Sequence, residues 1–192
     1  MIEALPWYVT RATGMVSLVL LTAVMCLGLL TVSRVQAAGW PRFLTAQLHR
    51  NIALLSVVFL VVHVLVAALD PYTALGLLSA VIPFSSPYRQ VWLGLGGVSM
   101  YLVAAMILTS LLRGRIGQRT WRAIHWTAYA CWPMAVLHGL GTGTDSVAAW
   151  SWALNAACVL AVVACASWRV MARRSAALQM DAALPAAPGG FR

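Results

Sequence analysis

Five long apolar stretches dominate this sequence and restrict what it can fold into. Each has about 20 residues or more, the length at which a helix crosses a hydrocarbon core of roughly 30 Å. The chain of 192 residues is 62% hydrophobic and 9% charged, and its mean hydropathy is +0.85. Backbone groups in lipid must be paired within the segment, so such stretches favour helices. We therefore predict an all-α membrane protein, a bundle of about five transmembrane helices at residues 13–33, 47–69, 91–112, 121–140 and 147–170.

The basic residues lie mostly on one side of the predicted bundle. The net charge is +9 and all 13 basic residues are arginines. Ten of them flank the first and third connections or follow the last span: Arg34, Arg42, Arg50, Arg113, Arg115, Arg119, Arg122, Arg169, Arg173 and Arg174. Loops rich in arginine stay in the cytoplasm, which predicts a multi-pass protein of the bacterial plasma membrane with its N-terminus outside and its C-terminus inside. Membrane lipid is then the expected partner, and the charge requires no nucleic acid.

The ends of the chain and its longest connection also carry predictions. Residues 1–170 are predicted to form the membrane domain, and we expect the first span to be kept because Glu3 precedes it where a signal sequence would be basic. Residues 171–192 are predicted to form a flexible cytoplasmic tail, since they have little apolar surface to bury. Asp70 and Pro71 should end the second span, and residues 72–84 should form a short interfacial helix or re-entrant piece.

Several common cofactor motifs are absent. The cysteines Cys26, Cys131, Cys158 and Cys165 lie within predicted spans and form no C-x-x-C pair, which favours core packing over zinc, iron–sulfur or covalent heme sites. The glycines near residues 94–97 and 139–143 follow no predicted strand, so they do not indicate a dinucleotide site. Within the spans, small residues are expected to allow close helix contacts.

All four histidines lie within the apolar stretches. His49 and His63 are 14 residues apart on the second span, which places them roughly 21 Å apart along the axis and about 40° from alignment on one side. His125 and His138 are 13 residues apart on the fourth span, and an ideal helix leaves them about 140° apart. Pro133 lies between these two and can kink a helix, so we predict an irregular backbone at residues 130–133.

The predicted topology pairs the histidines across helices. The second and fourth spans run in the same direction, so His49 shares the cytoplasmic level with His125, and His63 shares the outer level with His138. Two facing imidazoles at each level suit an iron porphyrin, which accepts one nitrogen on each face and fills the space between helices. Two alternatives remain open: each histidine bonds only a neighbouring carbonyl or hydroxyl, or the four serve a non-heme protein that binds or transports a transition metal. The absence of interior carboxylates disfavours the second.

At these residues the chain resembles the ferric reductase-like transmembrane domain family, which includes the membrane part of NADPH oxidases and the heme-binding subunit of bacterial methionine sulfoxide reductase systems. The resemblance covers residues 10–169 and rests on the two histidine spacings, on the pattern Trp121-Arg122-x-x-His125-x-x-x-Tyr129, and on His138-Gly139. It implies that the four histidines are axial ligands of two b-type hemes.

The family resemblance also implies a function. Electrons would pass from a cytoplasmic donor, such as a flavoprotein, to an extracytoplasmic acceptor: ferric iron, oxygen, quinone or a partner reductase. Larger members carry a cytosolic FAD and NAD(P)H domain that this sequence lacks. The chain is therefore expected to be the heme-binding membrane subunit of an oxidoreductase, with no catalytic residues of its own.

Heme propionates are anionic and need cationic partners. Arg50 and Arg122 are the candidates at the cytoplasmic level, although either could be an ordinary cytoplasmic charge. Arg11 and Arg89 run against the topology rule, so we predict that they serve the outer heme or an anionic substrate. Phe59, Tyr129 and Trp132 could lie against a porphyrin face, although core packing is the favoured interpretation. Thr142, Thr144 and Asp145 could lie at the edge of the outer heme.

Overall fold

The apolar stretches form helices throughout the computed structural model, which describes residues 5–32, 42–70, 76–143 and 148–183. Within these ranges the chain contains eight helices and no strand. The helices are α1 (Leu5–Val32), α2 (Arg42–Leu69), α3 (Gly76–Val81), α4 (Gln90–Leu111), α5 (Arg113–Ile116), α6 (Gln118–His125), α7 (Ala128–Thr142) and α8 (Ala149–Ala183). Arg34, Thr144 and Asp145 lie outside the described residues.

Four of these helices, α1, α2, α4 and α8, are long and apolar enough to cross a membrane. The predicted all-α membrane bundle is therefore confirmed. The first helix begins at Leu5, eight residues before the predicted start at residue 13. The last helix continues to Ala183, so the first part of the predicted tail is helical instead of irregular, and residues 184–192 lie outside the described part of the chain.

The fourth predicted span is divided into α6 and α7 by Trp126 and Thr127. Around this break the N–H groups of Thr127, Tyr129 and Ala130 bond the carbonyls three residues earlier, at 3.0, 3.1 and 3.0 Å. The expected irregularity is therefore present, but it lies upstream of residues 130–133. A proline ring crowds the carbonyl four residues before it, here that of Tyr129, and the backbone tightens in the turn around that residue.

Two antiparallel helix pairs build the bundle. α1 packs along α2, α4 packs along α7, and α1 also contacts α7 and α8, so α1 joins the two halves. Trp132 on α7 reinforces the junction, since its indole Nε1–H donates to the hydroxyl of Thr22 on α1 at 3.0 Å. Around this bond Leu18, Val136 and Cys158 form a buried apolar cluster.

The outward and inward faces follow the logic of a membrane protein. Large apolar side chains of α2 point outward, among them Leu54, Val58 and Leu65, each at least half exposed. Several buried side chains are small hydroxyls that donate to carbonyls of their own helix: Ser17 to Thr13, Thr22 to Leu18, Ser56 to Ala53 and Ser99 to Gly96. Lipid accepts the apolar face, and internal hydrogen bonds satisfy the polar groups.

The long connection lies against glycines of α4. α2 ends at Leu69, directly before the buried Asp70, and the described part of the connection contains the short helix α3, as predicted. Phe84, at φ 62°, packs against Gly94, where a Cβ would overlap its ring. Pro83 lies 3.4 Å from the place of a Cβ on Gly97. Gly94 therefore lets the connection approach the α4 backbone closely, while the contact at Gly97 is an ordinary one.

Gly141 and Gly139 on α7 provide a test of this packing. A Cβ on Gly141 would overlap the indole of Trp92 on α4, whereas a Cβ on Gly139 would meet nothing within 4 Å. Gly141→Ala is expected to lower the free energy of unfolding by about 1–3 kcal/mol through overpacking. Gly139→Ala should be neutral or slightly stabilising because alanine is the better helix former. Unfolding of the purified protein in detergent measures both, and equal effects would contradict the packing described.

Candidate functional site

The structure brings the four histidines together in two pairs. The ring centroids of His49 on α2 and His125 on α6 are 6.1 Å apart, and those of His63 on α2 and His138 on α7 are 6.2 Å apart. The ring planes meet at 60° and 82°. These are the cross-helix pairs expected from the topology, and the break before α7 allows His125 and His138 to face α2 together.

The two pairs bridge a space between helices. α2 packs on α1 and α3 but has no extensive backbone contact with α6 or α7 in the described part of the chain. Two imidazoles that bind one metal from opposite sides have centroids roughly 6 Å apart, since each metal–nitrogen bond is about 2.0 Å and the depth of each ring adds the rest. Both observed separations match that value, so each pair fits a single metal held between two imidazoles.

Three of the histidines are oriented by backbone carbonyls. The Nδ1–H of His63 donates to the carbonyl of Thr10 at 2.7 Å, that of His138 to Trp92 at 2.9 Å, and that of His49 to Val24 at 3.0 Å. A carbonyl can only accept, so Nδ1 carries the proton and Nε2 keeps its lone pair. This is the arrangement usual for a metal-binding histidine, in which the second nitrogen donates to a carbonyl or carboxylate.

A glycine follows each anchoring carbonyl by four residues. We call this combination of a carbonyl and the glycine four residues later a glycine bracket, and three occur: Thr10 with Gly14, Val24 with Gly28, and Trp92 with Gly96. A Cβ on Gly96 would lie 2.5 Å from His138, one on Gly14 would lie 2.8 Å from His63, and one on Gly28 would lie 3.5 Å from His49. Gly96 and Gly14 therefore leave room for an imidazole against the helix backbone.

The glycine brackets were not found by the sequence interpretation, although a signal existed. Gly14 and Gly28 are 14 residues apart, as are His49 and His63. In an antiparallel hairpin such equal spacings bring each glycine opposite one histidine. Glycines considered only as general helix contacts do not reveal this match.

His125 is the exception among the four. Its Nδ1 is buried and has no hydrogen-bond partner in the described structure. The ring instead stacks on Trp121, one turn earlier, with centroids 5.0 Å apart and an angle of 23° between the planes. Trp121 is itself fixed by a hydrogen bond from its Nε1–H to the hydroxyl of Ser110 at 3.1 Å and by the guanidinium of Arg113, 4.3 Å from its ring centroid.

Comparison with known families finds a matching family model. The family model described as "Ferric reductase like transmembrane component" matches residues 13–136. The chain belongs to this ferric reductase-like family. The match includes His49, His63 and His125 and ends two residues before His138. The searches of curated proteins and of solved structures found no match to the chain.

In this ferric reductase-like chain, Arg11 and Arg89 stand beside the anchors of the His63–His138 pair. Arg11 follows Thr10, and its guanidinium lies 4.8 Å from the ring centroid of Trp7 and 5.2 Å from that of Trp150. Arg89 donates from Nη1 to the carbonyl of Gly141 and lies 5.8 Å from the ring centroid of Tyr88. Both arginines therefore serve the fold, and their role toward an anion stays a prediction.

Arg50 and Arg122 differ from Arg11 and Arg89 in their contacts. Both side chains are exposed and have no hydrogen bond or ion pair with the described part of the chain. Arg50 lies next to His49 and lines a surface pocket with Ala46 and Gln47, and Arg122 lies three residues before His125. Both can therefore turn toward an anion at the edge of the His49–His125 pair.

The remaining candidates have other contacts. Tyr129 is 49% exposed and its hydroxyl accepts from Arg169 at 2.9 Å, so it contacts α8, and its place beside a porphyrin stays a prediction. Trp132 packs in the core, Thr142 bonds the carbonyl of His138 at 2.7 Å, and Phe59 is partly buried on α2.

The four cysteines are free thiols, and the described residues contain no group of three or more His, Cys, Asp or Glu that could hold a metal ion.

The two kinds of arginine predict different effects on stability. Arg89→Ala removes a charged hydrogen-bond donor that joins the start of α4 to the end of α7, and it should lower the free energy of unfolding by about 1 kcal/mol. Arg122→Ala, the matched control, removes an exposed side chain and should change it little. Thermal unfolding in detergent provides the comparison, and an equal loss in both variants would refute the structural role of Arg89.

Proposed function

We propose that this protein is a di-heme b-type cytochrome of the membrane that transfers electrons between a donor on one face and an acceptor on the other. The observation that carries the proposal is the arrangement of four imidazoles as two facing pairs across a space between helices, with centroids 6.1 and 6.2 Å apart. Each pair supplies two ligands, which suits a metal whose other positions are filled by a porphyrin.

The residues of the chain hold and orient the proposed cofactors. His49 and His125 would bind one heme, and His63 and His138 the other. The carbonyls of Val24, Thr10 and Trp92 fix the protonated Nδ1 of three of these rings and so leave Nε2 available to iron. A bound b-type heme supplies one-electron oxidation and reduction of its iron.

The positions of the pairs suit passage across the membrane. His49 and His63 lie at different levels of one long helix, roughly 21 Å apart along its axis. Because two histidines would hold each heme, the site would favour electron relay over direct binding of a substrate. Membrane electron transfer is the activity that the family suggests.

The family resemblance suggests the direction of electron transfer, and the charges suggest which membrane face each partner would meet. The His49–His125 pair lies at the arginine-rich end that we assign to the cytoplasm, where an electron-donating protein such as a flavoprotein would bind. Electrons would leave from the His63–His138 pair to an extracytoplasmic acceptor: ferric iron, oxygen, quinone or a partner reductase. Arg50 and Arg122 at one level, and Arg11 and Arg89 at the other, would neutralise heme propionates.

Heme analysis of the purified full chain tests the proposal. The wild-type protein is expected to hold about two b-type hemes per chain, with absorption bands that sharpen and shift on reduction with dithionite. His49→Ala and His63→Ala should each remove one ligand and lower the heme content toward one per chain. The matched control is Ser56→Ala, since Ser56 is buried on α2 midway between these histidines and bonds only Ala53. A correctly folded protein without porphyrin, or with stoichiometric zinc or copper instead, would overturn the proposal in favour of non-heme metal binding.

The proposed role of Arg50 and Arg122 is tested separately. Replacing both by alanine removes the cations beside the His49–His125 pair, so the heme at that level should dissociate faster, while unfolding of the heme-free chain should change little. Transfer of heme to an apomyoglobin trap gives the dissociation rate. Arg173→Ala, an exposed arginine of α8, is the control. Unchanged dissociation in the double variant would show that these arginines do not hold the propionates.

A further inference from the structure

The two histidine pairs differ in how firmly the chain holds their ligands. In the His63–His138 pair both rings donate to carbonyls, at 2.7 and 2.9 Å, and both lie over glycines whose Cβ would come within 2.5–2.8 Å of the ring. In the His49–His125 pair only His49 has a glycine bracket, with a longer bond of 3.0 Å and a looser contact of 3.5 Å. The hydrogen-bond lengths and the glycine contacts both indicate that the ligands of the His63–His138 pair are held more firmly.

The missing fourth bracket has a cause in the sequence of α4. Moving 13 residues along α4 from Gly96, the spacing between His138 and His125, leads to Thr109 instead of another glycine. The hydroxyl of Thr109 donates at 2.7 Å to the carbonyl of Ala105, the one that a fourth bracket would use. Ser110, the next residue, likewise bonds the carbonyl of Met106 at 2.6 Å. At the place of a fourth bracket α4 therefore has a threonine instead of a glycine, and the carbonyl there already accepts the threonine hydroxyl.

His125 also differs from its counterparts in its position within its helix. His125 is the last residue of the eight-residue helix α6, directly before the break at Trp126 and Thr127. His49, His63 and His138 lie inside longer helices. The ring of His125 is positioned by stacking on Trp121, which fixes the plane of the imidazole but supplies no acceptor for Nδ1–H.

We infer that His125 is an exchangeable ligand and that the His49–His125 site takes up a small neutral ligand, whereas the His63–His138 site stays closed. The inference rests on the proposed binding of two hemes. The ligand class is a diatomic π-acceptor such as carbon monoxide, which would bond a ferrous heme iron as the bond from His125 Nε2 to that iron breaks, with no change in oxidation state. Hydrogen bonds from a metal-bound histidine to its surroundings are worth about 10–100-fold in metal affinity, and His125 lacks one.

Carbon monoxide binding to the dithionite-reduced full chain in detergent tests this inference. The wild-type protein should bind about one carbon monoxide per two hemes. Gly96→Ala should displace His138 and release the heme of the His63–His138 pair. The variant should then bind about one carbon monoxide per remaining heme. Gly97→Ala is the matched control, because it lies on the same helix but faces Pro83 at an ordinary contact distance of 3.4 Å. It should keep two hemes and the wild-type ratio.

The possible outcomes separate this inference from the proposed function. Two outcomes would overturn the exchangeable role of His125 and leave the di-heme proposal intact. In the first, the wild-type protein holds two hemes but takes up no carbon monoxide. In the second, Gly96→Ala loses one heme and the carbon monoxide uptake together. A single heme that depends on His49 instead of His63 would also overturn it. A protein without heme would overturn the proposed function itself. The wild-type measurement needs no variant, so an absence of carbon monoxide uptake overturns the inference even if Gly96→Ala does not fold.

Discussion

The hydrogen bond from a histidine Nδ1–H to a helix carbonyl is the interaction on which the rest of this structure depends. In a lipid-filled environment no water can pair the second nitrogen of an imidazole, so the partner must come from the protein. Helical carbonyls are already engaged along their own axis, and a side chain reaches one only where the neighbouring surface is bare. Gly14 and Gly96 provide that bare surface beside His63 and His138, and Gly28 occupies the equivalent position beside His49. The positions of α1 and α4 against α2 and α7 follow from this need.

The sequence predicted the membrane bundle and the cross-helix histidine pairs because both follow from length and direction. An apolar stretch of a given length must cross, and two spans that run the same way bring equivalent positions to one level. The glycine brackets could not be derived in this way, since the carbonyl that meets His138 depends on the register between α4 and α7. The backbone break was expected at residues 130–133, but local bonding at Thr127 and Tyr129 decides its place. The helical extent of α8 beyond residue 170 was missed because composition alone does not show where a helix ends.

Arg89 illustrates how one side chain can serve both the fold and a site. Its bond to the Gly141 carbonyl closes the end of the α4–α7 pair, three residues from the carbonyl of Trp92 that orients His138. A guanidinium has five donors, so this contact leaves others available. The unusual placement of an arginine on this face is thus explained by helix packing whether or not an anion also binds there.

The matched 14-residue spacings of the α1–α2 hairpin have a consequence for biosynthesis. Residues 5–69 leave the ribosome before α6 and α7 are made, and this hairpin already contains one histidine of each pair together with its glycine bracket. Every site is therefore half-built, at both levels, when the second half of the protein enters the membrane. The histidines of α2 are therefore synthesised first, and α6 and α7 later supply the second histidine of each pair.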